Sequence, residues 1–461
     1  MTPSINRQQM LAATRDQLRA WYRLSETGDT LYPSLLLVQK KLADKNSTVP
    51  SMRRLAINQV LWDGIKFLQE REPQLAELLT HRYPDKLTMK GTGLRMALSQ
   101  HQVKHLQVQA IEALTDTLLM QELDLRQTQM SACLAALPQP TYTRLFGLDA
   151  MEQLFEQFMT ETERWIWAVV GIGGVGKTAL ADFLARKVIK TAVFHHVAWV
   201  WMPSEEKRPF TTDTLTTDLW QQLIQGDPTQ VAPPDQHQQL RHHFQQKPTL
   251  IIIDNLETAE QVNCACSYLH PLANPSRVLL TSREQATARA GLHHHLVRTL
   301  SKTAAFQLLR SYGTTDLTHA TDPQLEQIWQ LTGGHPLALK LVAGLAAVLP
   351  LPAILADFIT VETNSTADLY RYIYRRAYHA LTPEGSRLLR IMPLAAGDGM
   401  PLEQMAAISQ LSKTDLWAAI RELVRHSLLE PSGSTWERTY RIHRLTQSFL
   451  QTEIIHLPDR E

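Results

Sequence analysis

A glycine-rich octapeptide, GIGGVGKT at residues 171–178, limits the folds open to this chain more than any other stretch. It follows the apolar run WIWAVV and precedes the helical pattern TALADFLARK. Glycines in such a turn let successive backbone N–H groups face phosphate oxygens, and the N-terminus of the next helix adds its dipole. The octapeptide, called the phosphate loop below, therefore predicts a buried strand, a phosphate-binding turn and a helix in that order.

Two side chains of the phosphate loop have predicted chemical roles. Lys177 supplies a positive charge to the terminal phosphates, in binding and in catalysis, and Thr178 supplies an oxygen to Mg²⁺. The other predicted nucleotide contacts are backbone groups of the loop and of the residue after it: Gly171, Gly173, Gly174, Val175, Gly176 and Ala179.

The apolar run IIID at residues 251–254 predicts a second part of the same site. Asp254 ends a predicted strand, where its carboxylate can face the phosphate loop, hold Mg²⁺ and take part in catalysis. Asn255 stands where many ATPases carry a second acid. An amide can hydrogen-bond a water molecule but cannot accept its proton at neutral pH, so we expect slow hydrolysis. Glu257 is an alternative base.

A third predicted strand, in RVLLTSRE at residues 277–284, ends in polar side chains that include Arg283. Ligands of open parallel sheets bind at the carboxyl ends of the strands, so Arg283 can reach a terminal phosphate and assist catalysis there. The alternative is a surface arginine at the start of a loop, and the sequence leaves both interpretations open.

Short apolar runs alternate with helical patterns between about residues 164 and 298, which predicts a parallel sheet with helices on both faces. The flanking regions are helical, and the last one ends in two short strands around SGST. The fold class is therefore multidomain α/β plus α. The predicted parts are a helical N-terminal domain at 1–136, a linker at 137–142, a P-loop domain at 143–300, a helical subdomain at 301–380 and a terminal domain at 381–461.

Composition restricts the partners that we expect. The chain has 46 Lys and Arg against 45 Asp and Glu, so its overall charge attracts neither nucleic acid nor an acidic membrane. Its 3 cysteines are too few for a disulfide framework and favour a reducing compartment. The N-terminus lacks a signal pattern, and we expect a cytoplasmic protein without a membrane partner. Cys264 and Cys266 lack the spacing of metal ligands. The same holds for the neighbouring histidines at 195–196, 242–243 and 293–295.

These motifs, in this order, resemble those of the NB-ARC ATPases, a branch of the STAND signal-transducing nucleotide switches. The stretch GHPLA at residues 334–338 resembles the family's Gly-x-Pro-Leu-Ala motif, which implies that Pro336 lies against the nucleotide. The stretch IHR at residues 442–444 resembles the family's histidine motif, which implies that His443 contacts the β-phosphate of ADP. Gly147, in RLFGLD, resembles the family motif beside the adenine.

The resemblance covers about residues 142–450 and implies an ADP/ATP switch with weak ATPase activity. ADP would hold the domains closed, and ATP would open the chain and allow self-association. It also implies that residues 301–380 form an ARC-type subdomain and residues 381–461 a winged helix, and that a sensor or effector can be a separate protein. Three positions depart from the family pattern: Asn255 and Arg444 replace acids, and Leu148 replaces an arginine. A true turnover ATPase stays an alternative.

The N-terminal region contains a pattern, at residues 87–114, that resembles the helix-turn-helix of bacterial sigma factors and response regulators. The predicted first helix ends near Met96 and the turn spans residues 97–99. The second helix would bury Val103, Leu106, Ala110 and Leu114, and would present Gln100, His101, Gln102, Lys104 and His105 outward. The pattern makes DNA a candidate partner and a nucleotide-tuned transcription regulator an alternative function. A helical interaction domain, with the motif used only for packing, is equally compatible.

Overall fold

The structure is a computed structural model that describes residues 6–23, 31–43, 50–140, 142–161, 163–203, 208–224, 227–273, 275–287, 291–312, 315–347, 349–360, 366–395, 399–433 and 438–454. The chain divides into two compact units. The N-terminal unit is Met1–Leu134 with Lys190–Val193, and the main unit is Ala135–Ile189 with Phe194–Glu461.

The described residues of the N-terminal region form helices joined by turns, as the apolar periodicity predicts. Its helices are α1 (Arg7–Arg19), α2 (Leu31–Ser34), α3 (Leu36–Ala43), α4 (Pro50–Arg71), α5 (Pro73–Arg82), α6 (Met89–Met96) and α7 (Gln100–Ala135). Their apolar faces share one core, in which Leu61, Leu78 and Leu114 are fully buried. This burial stabilises helices that would be marginal as isolated segments.

The predicted turn between α6 and α7 is present. Ala97 ends α6 in the left-handed region at φ 56°. Ser99 Oγ accepts the Gln102 N–H at 3.3 Å, while Gln102 Oε1 accepts the Ser99 N–H at 2.8 Å, which is a reciprocal helix cap. All five side chains predicted to point outward, from Gln100 to His105, are exposed. However, α7 has 36 residues and continues far beyond the predicted second helix, to Ala135.

The main unit contains a five-stranded parallel sheet of order β2-β3-β4-β1-β5. Its strands are β1 (Ile166–Val170), β2 (His196–Trp201), β3 (Thr249–Leu256), β4 (Arg277–Ser282) and β5 (Leu292–Leu296). The helices associated with them are α8 (Leu148–Thr160), α9 (Lys177–Ile189), α10 (Thr212–Leu223), α11 (Pro233–Gln246) and α12 (Ala259–Ala273), and a 3₁₀ turn spans Pro228–Gln230. The predicted parallel sheet is confirmed.

Both faces of this sheet are covered by helices. Successive residues of a strand point to opposite faces, so a strand that is buried at every position is covered on both sides. All five residues of β1 are buried. Ile166, Ala168 and Val170 pack into a core with residues of α10, α11 and α12. The intervening Trp167 contacts Phe158 of α8, with ring centroids 5.3 Å apart. The continuous apolar runs of the sequence thus reflect two-sided burial.

The remaining helices continue from the sheet to the end of the described chain. They are α13 (Lys302–Ser311), α14 (Thr315–His319), α15 (Asp322–Thr332), α16 (Pro336–Leu345), α17 (Leu351–Thr360), α18 (Thr366–His379), α19 (Pro383–Ile391), α20 (Leu402–Ser409), α21 (Lys413–Arg425) and α22 (Arg444–Phe449). A 3₁₀ turn at Met392–Leu394 follows α19, and a π-helical turn at Leu450–Ile454 follows α22.

A small antiparallel sheet of order β6-β8-β7 lies among the last helices. Its strands are β6 (Met400–Pro401), β7 (Glu430–Gly433) and β8 (Arg438–Arg441). Residues on both sides of the predicted boundary at 380 share one core, which includes Leu341 of α16, Tyr374 of α18 and Leu423 of α21. The winged-helix assignment and the domain boundaries stay predictions.

Candidate functional site

The phosphate loop lies between β1 and α9, where the sequence predicts it. Lys177 is the first residue of α9, and its Nζ donates to the carbonyls of Gly171 at 2.8 Å and Ile172 at 3.0 Å. Gly174 has φ 78°, a conformation that a residue with a Cβ adopts only under strain. The loop therefore curves back under its own lysine.

Asp254 lies on β3 and is only 2% exposed. Its Oδ1 accepts hydrogen bonds from Thr178 Oγ1 at 2.9 Å and Thr281 Oγ1 at 2.5 Å. Burial raises the pKa of this carboxyl, while the two hydroxyl donors, Lys177 and Arg441 oppose the rise. A buried carboxylate beside a threonine hydroxyl supplies the hard oxygen ligands that Mg²⁺ prefers, so Thr178 and Asp254 fit this ion.

The side chain and the backbone of Asn255 both form hydrogen bonds within the fold. Its φ of 73° lies in the left-handed region, which asparagine tolerates better than most residues. Its Nδ2 donates to the Met202 carbonyl at 2.8 Å, and its backbone N–H donates to Thr281 Oγ1 at 2.8 Å. The register of β3 against β4 shifts between Ile253 and Leu256, which brackets this position. Asn255 therefore joins three strand ends.

Arg283 follows β4 and is partly buried. Its backbone N–H donates to the Leu256 carbonyl at 3.2 Å, and its guanidinium lies 4.0 Å from the Glu257 carboxylate. Burial lowers the pKa of Arg283, although a guanidinium stays charged at physiological pH. The charge of Arg283 also lowers the pKa of Lys177.

Lys177 lies in a partly buried environment that disfavours its positive charge. Burial and the charge of Arg283 lower the pKa of Lys177 to about 8, and Asp254 opposes the change. An anion placed beside the lysine would reverse this effect by favouring the charged amine. The electrostatics of the loop are therefore those of a site that gains stability when it binds a phosphate.

Two segments from outside the sheet contact the glycines of the phosphate loop. A Cβ on Gly174 would lie 2.9 Å from His335 Cε1 and 2.8 Å from Leu337 Cδ2, and both residues belong to the start of α16. A Cβ on Gly173 would lie 3.6 Å from the Leu445 side chain of α22. The segments that carry the predicted residues Pro336 and His443 are thus brought to the loop by their neighbours.

His443 immediately precedes α22, and its Nδ1 accepts the Leu445 N–H at 3.2 Å. This bond places the proton of the neutral ring on Nε2. Burial lowers the pKa of His443 to about 3, and nearby positive charges reinforce the effect. These charges belong to Lys340, Arg283, Lys177 and Arg441. The imidazole is therefore a neutral hydrogen-bond donor among four cations, an arrangement that fits an anionic phosphate.

Gly147 precedes α8 and has φ 74°. A Cβ there would lie 3.7 Å from the Leu300 side chain, and a Cβ on Gly171 would lie 3.5 Å from the Val297 Cβ. Leu148, Ile172 and Leu296 are large apolar side chains that stay exposed. No direct contact between Gly147 and the phosphate loop is described, so its place beside an adenine stays a prediction.

Several residues of the site were not predicted from the sequence. His335, Leu337 and Leu445 contact the loop, and Lys340 and Arg441 contribute charge around His443. His335 and Leu337 lie inside the GHPLA motif itself, and Arg441 lies two residues before His443. Their proximity to recognised motifs is the only signal that could have identified them, because the contacts join segments more than 100 residues apart.

A phosphate loop after β1, with a buried acid at the end of β3 and β4 between these two strands, defines a P-loop NTPase fold. Residues 148–318 match the family model of the NB-ARC domain. This chain therefore contains an NB-ARC domain, a nucleotide-binding domain of the P-loop NTPases, and the resemblance inferred from its motifs is confirmed.

Similar proteins come from plants, bacteria and archaea. Disease resistance protein RGA5 of Oryza sativa subsp. japonica is 28% identical over 269 residues, covering 49% of this chain and 22% of that protein. Regulatory protein AfsR of Streptomyces coelicolor is 26% identical over 294 residues, covering 61% of this chain and 28% of that protein. The alignments thus span about a quarter of the length of these relatives.

Among solved structures, a STAND protein with a tetratricopeptide repeat sensor from Pyrococcus horikoshii has a TM-score of 0.49 and 18% identity. That match covers 68% of this chain and 43% of the other. Over the described ranges, this chain has no helix that is both long enough and apolar enough to cross a membrane.

Proposed function

We propose that this chain is an ADP/ATP-binding signal-transduction switch that rests in a closed, ADP-bound state. In this state Lys177, Thr178, Pro336 and His443 hold the nucleotide between the sheet, the helical subdomain and the terminal segment. ATP favours an open state that self-associates. The equilibrium between the two states is set by their difference in affinity for each nucleotide.

The observation that carries the proposal is the environment of His443. A neutral imidazole with its proton on Nε2 lies among four cations that come from the sheet domain, α16 and β8. A diphosphate placed there offsets the repulsion between these charges and accepts a hydrogen bond from the ring. The closed arrangement of the segments is then stabilised by the same anion that it encloses.

The proposed role of Mg²⁺ rests on Thr178 and Asp254. Their oxygens are already joined at 2.9 Å and would ligate the ion together with nucleotide phosphates. When bound, Mg²⁺ would neutralise charge on the β- and γ-phosphates of ATP. Lys177 and Arg283 would then orient the terminal phosphate.

We further propose that hydrolysis is slow. Asn255 donates its amide to the Met202 carbonyl and has no group that accepts a proton at neutral pH. The carboxylate of Glu257, the alternative base, lies 4.0 Å from the Arg283 guanidinium, with which it forms an ion pair. A turnover ATPase is therefore the less favoured alternative.

The direct test is calorimetric titration of the full chain with ADP and with ATP, in the presence of Mg²⁺, for the wild type and for His443→Ala. We expect the variant to bind ADP about tenfold or more weakly, because it loses a hydrogen bond to a charged group. His319→Ala, at an exposed histidine of α14, is the matched control and should bind like the wild type. Unchanged ADP affinity in His443→Ala would contradict the proposal.

A second candidate function is DNA binding by the N-terminal unit, favoured by the exposure of Gln100, His101, Gln102, Lys104 and His105 at the start of α7. A DNA contact at this position would weaken in Lys104→Glu and with rising salt. The measurement is gel mobility shift at low salt with ADP and with ATP. Lys66→Glu, at an exposed lysine of α4, is the control. Absence of any DNA binding in both nucleotide states would remove this candidate.

The activating signal requires a partner or a further segment that senses it. Relatives that extend well beyond the matched region include plant disease resistance proteins and a bacterial regulatory protein. We propose that a sensor or effector acts on this chain, either as a separate protein or as a further segment, and that it favours the ATP-bound state.

A further inference from the structure

A line of buried side chains leads from the phosphate loop to α22, and no recognised motif assigns it a role. It consists of His335, Tyr370, Tyr374 and Phe449, with Thr446 beside Tyr374, and we call it the aromatic chain. Each member has at most 9% of its surface exposed. Its residues come from the start of α16, from α18 and from α22, so it crosses the segments that close around the proposed nucleotide.

At one end, His335 contacts the phosphate loop directly. Its Cε1 lies 2.9 Å from the position that a Cβ on Gly174 would take, so a larger residue there would collide with the ring. Burial lowers the pKa of His335 to about 4, and the Gly173 backbone opposes this change. The imidazole is therefore neutral and faces the backbone of the phosphate loop.

From His335 the aromatic chain continues through hydrogen bonds and ring contacts. The Tyr370 hydroxyl is hydrogen-bonded to His335 Nδ1, and Tyr370 and Tyr374 are stacked with centroids 6.3 Å apart. Tyr374 stacks on Phe449 with centroids 5.2 Å apart. The Thr446 and Tyr374 hydroxyls are 3.1 Å apart. The far end of the aromatic chain thus lies in α22, the helix that follows His443.

We propose that His335 and Tyr370 are positioning residues that hold the phosphate loop and α22 in their closed arrangement, so that retention of a nucleoside diphosphate depends on the aromatic chain. This inference rests on the proposed function. Its physical basis is that a buried ring nitrogen without a partner destabilises the arrangement that contains it. Removing the Tyr370 hydroxyl leaves His335 Nδ1 in that condition, while the stacked rings are kept.

The test is the rate at which a fluorescent ADP analogue leaves the full chain after mixing with excess ADP. We expect Tyr370→Phe to release it about two- to tenfold faster than the wild type, as the loss of one hydrogen bond implies. Tyr378→Phe is the matched control. Tyr378 lies on the same helix, but it is not a member of the aromatic chain, and its hydroxyl accepts from Arg390 Nε at 2.8 Å. The control should release the analogue at the wild-type rate.

A second variant separates positioning from general loosening of the core. His335→Leu removes the partner of the Tyr370 hydroxyl, and His335 makes no side-chain cap bond that would be lost with it. If the two residues act through their shared bond, Tyr370→Phe should have no further effect on release in the His335→Leu background. Additive effects of the two substitutions would overturn the inference, as would a wild-type release rate in Tyr370→Phe.

The outcomes also separate this inference from the proposed function. If the wild type fails to bind the analogue, the proposed function fails and the inference fails with it. The other outcome is that the wild type binds the analogue and His443→Ala binds it more weakly, while Tyr370→Phe releases it at the wild-type rate. In that case only the proposed role of the aromatic chain is refuted.

Discussion

Lys177 and Asp254 place opposite charges on the two sides of the phosphate site. Lys177 donates to the carbonyls of its own loop, and Asp254 accepts from the hydroxyls of Thr178 and Thr281. Within the described residues the two groups form no direct ion pair with each other, and burial raises the pKa of the Asp254 carboxyl. At the residue scale, the predicted site therefore combines a basic side chain with a buried acid, as the proposed binding of a phosphate and of Mg²⁺ requires.

The pH dependence of ADP binding should reveal the state of Lys177. In the free chain its pKa is lowered to about 8, and a bound phosphate raises it by favouring the charged amine. Binding then takes up a proton when the pH is above about 8, so affinity is constant below that value and falls as the pH rises through it. Titrations at pH 7.5 and 9.5 should differ about tenfold in affinity. Equal affinities would contradict this assignment.

Substitutions at Asn255 should affect stability rather than restore catalysis. In Asn255→Asp a carboxylate faces the Met202 carbonyl in place of a donor, which we expect to cost about 1–3 kcal/mol in the free energy of unfolding. Asn255→Gly keeps the left-handed backbone and removes only the amide, so it should be the milder change. Urea denaturation and steady-state ATPase assays measure both effects. A faster ATPase in Asn255→Asp would refute the structural role.

At the element scale, α16 connects the phosphate loop to the terminal segment. Its first turn contacts Gly174, and its Gly344 packs against the backbone at the end of α21. A Cβ on Gly344 would lie 2.6 Å from the His426 carbonyl oxygen. This close approach requires glycine, and it makes the helix pair sensitive to a single added carbon.

Gly344→Ala should therefore separate α16 from α21 and favour the open state. We expect faster ADP release and faster limited proteolysis than in the wild type. Ala347→Ser, which adds one atom in the turn after α16, is the control and should leave both rates unchanged. Wild-type release from Gly344→Ala would mean that the contact does not stabilise the closed state.

The sequence predicts elements well where burial leaves a clear pattern. The strands of the parallel sheet are continuous apolar runs because both faces are covered, and the phosphate loop has a local geometry that its glycines specify. The helical pattern was predicted to continue to residue 136, but the second helix of the turn motif was followed only to Leu114. In the structure α7 runs without interruption to Ala135, and the first breaking residue after Leu114 is Pro138. The approach of Gly344 to His426 and of His335 to Gly174 depends on tertiary packing, which no local pattern encodes.

The same limit applies to the candidate site. Lys177, Thr178, Asp254 and His443 were predicted from motifs. The structure places Thr178 Oγ1 within hydrogen-bond distance of Asp254 Oδ1, and the roles of all four residues stay predictions. Asn255 was recognised as a missing acid, but its bond to Met202 could not be seen in the sequence. The charges that surround His443 come from four separate segments, so they become visible only in the folded chain.

At the scale of the whole molecule, the main unit combines a P-loop sheet with helical segments that contact its phosphate loop from two directions. Cations from these segments and from the sheet domain surround the neutral His443, where the proposed function places a diphosphate. A bound nucleotide would thus be part of the core that joins the segments, and its exchange would change which arrangement is stable.

The most direct test of this account is to denature the purified full chain and to identify and quantify the nucleotide that it releases. The account predicts close to one ADP per chain, retained through purification by the closed arrangement, and a large loss of that ADP in His443→Ala. Folded wild-type protein that releases no nucleotide and binds no added ADP would contradict the central claim.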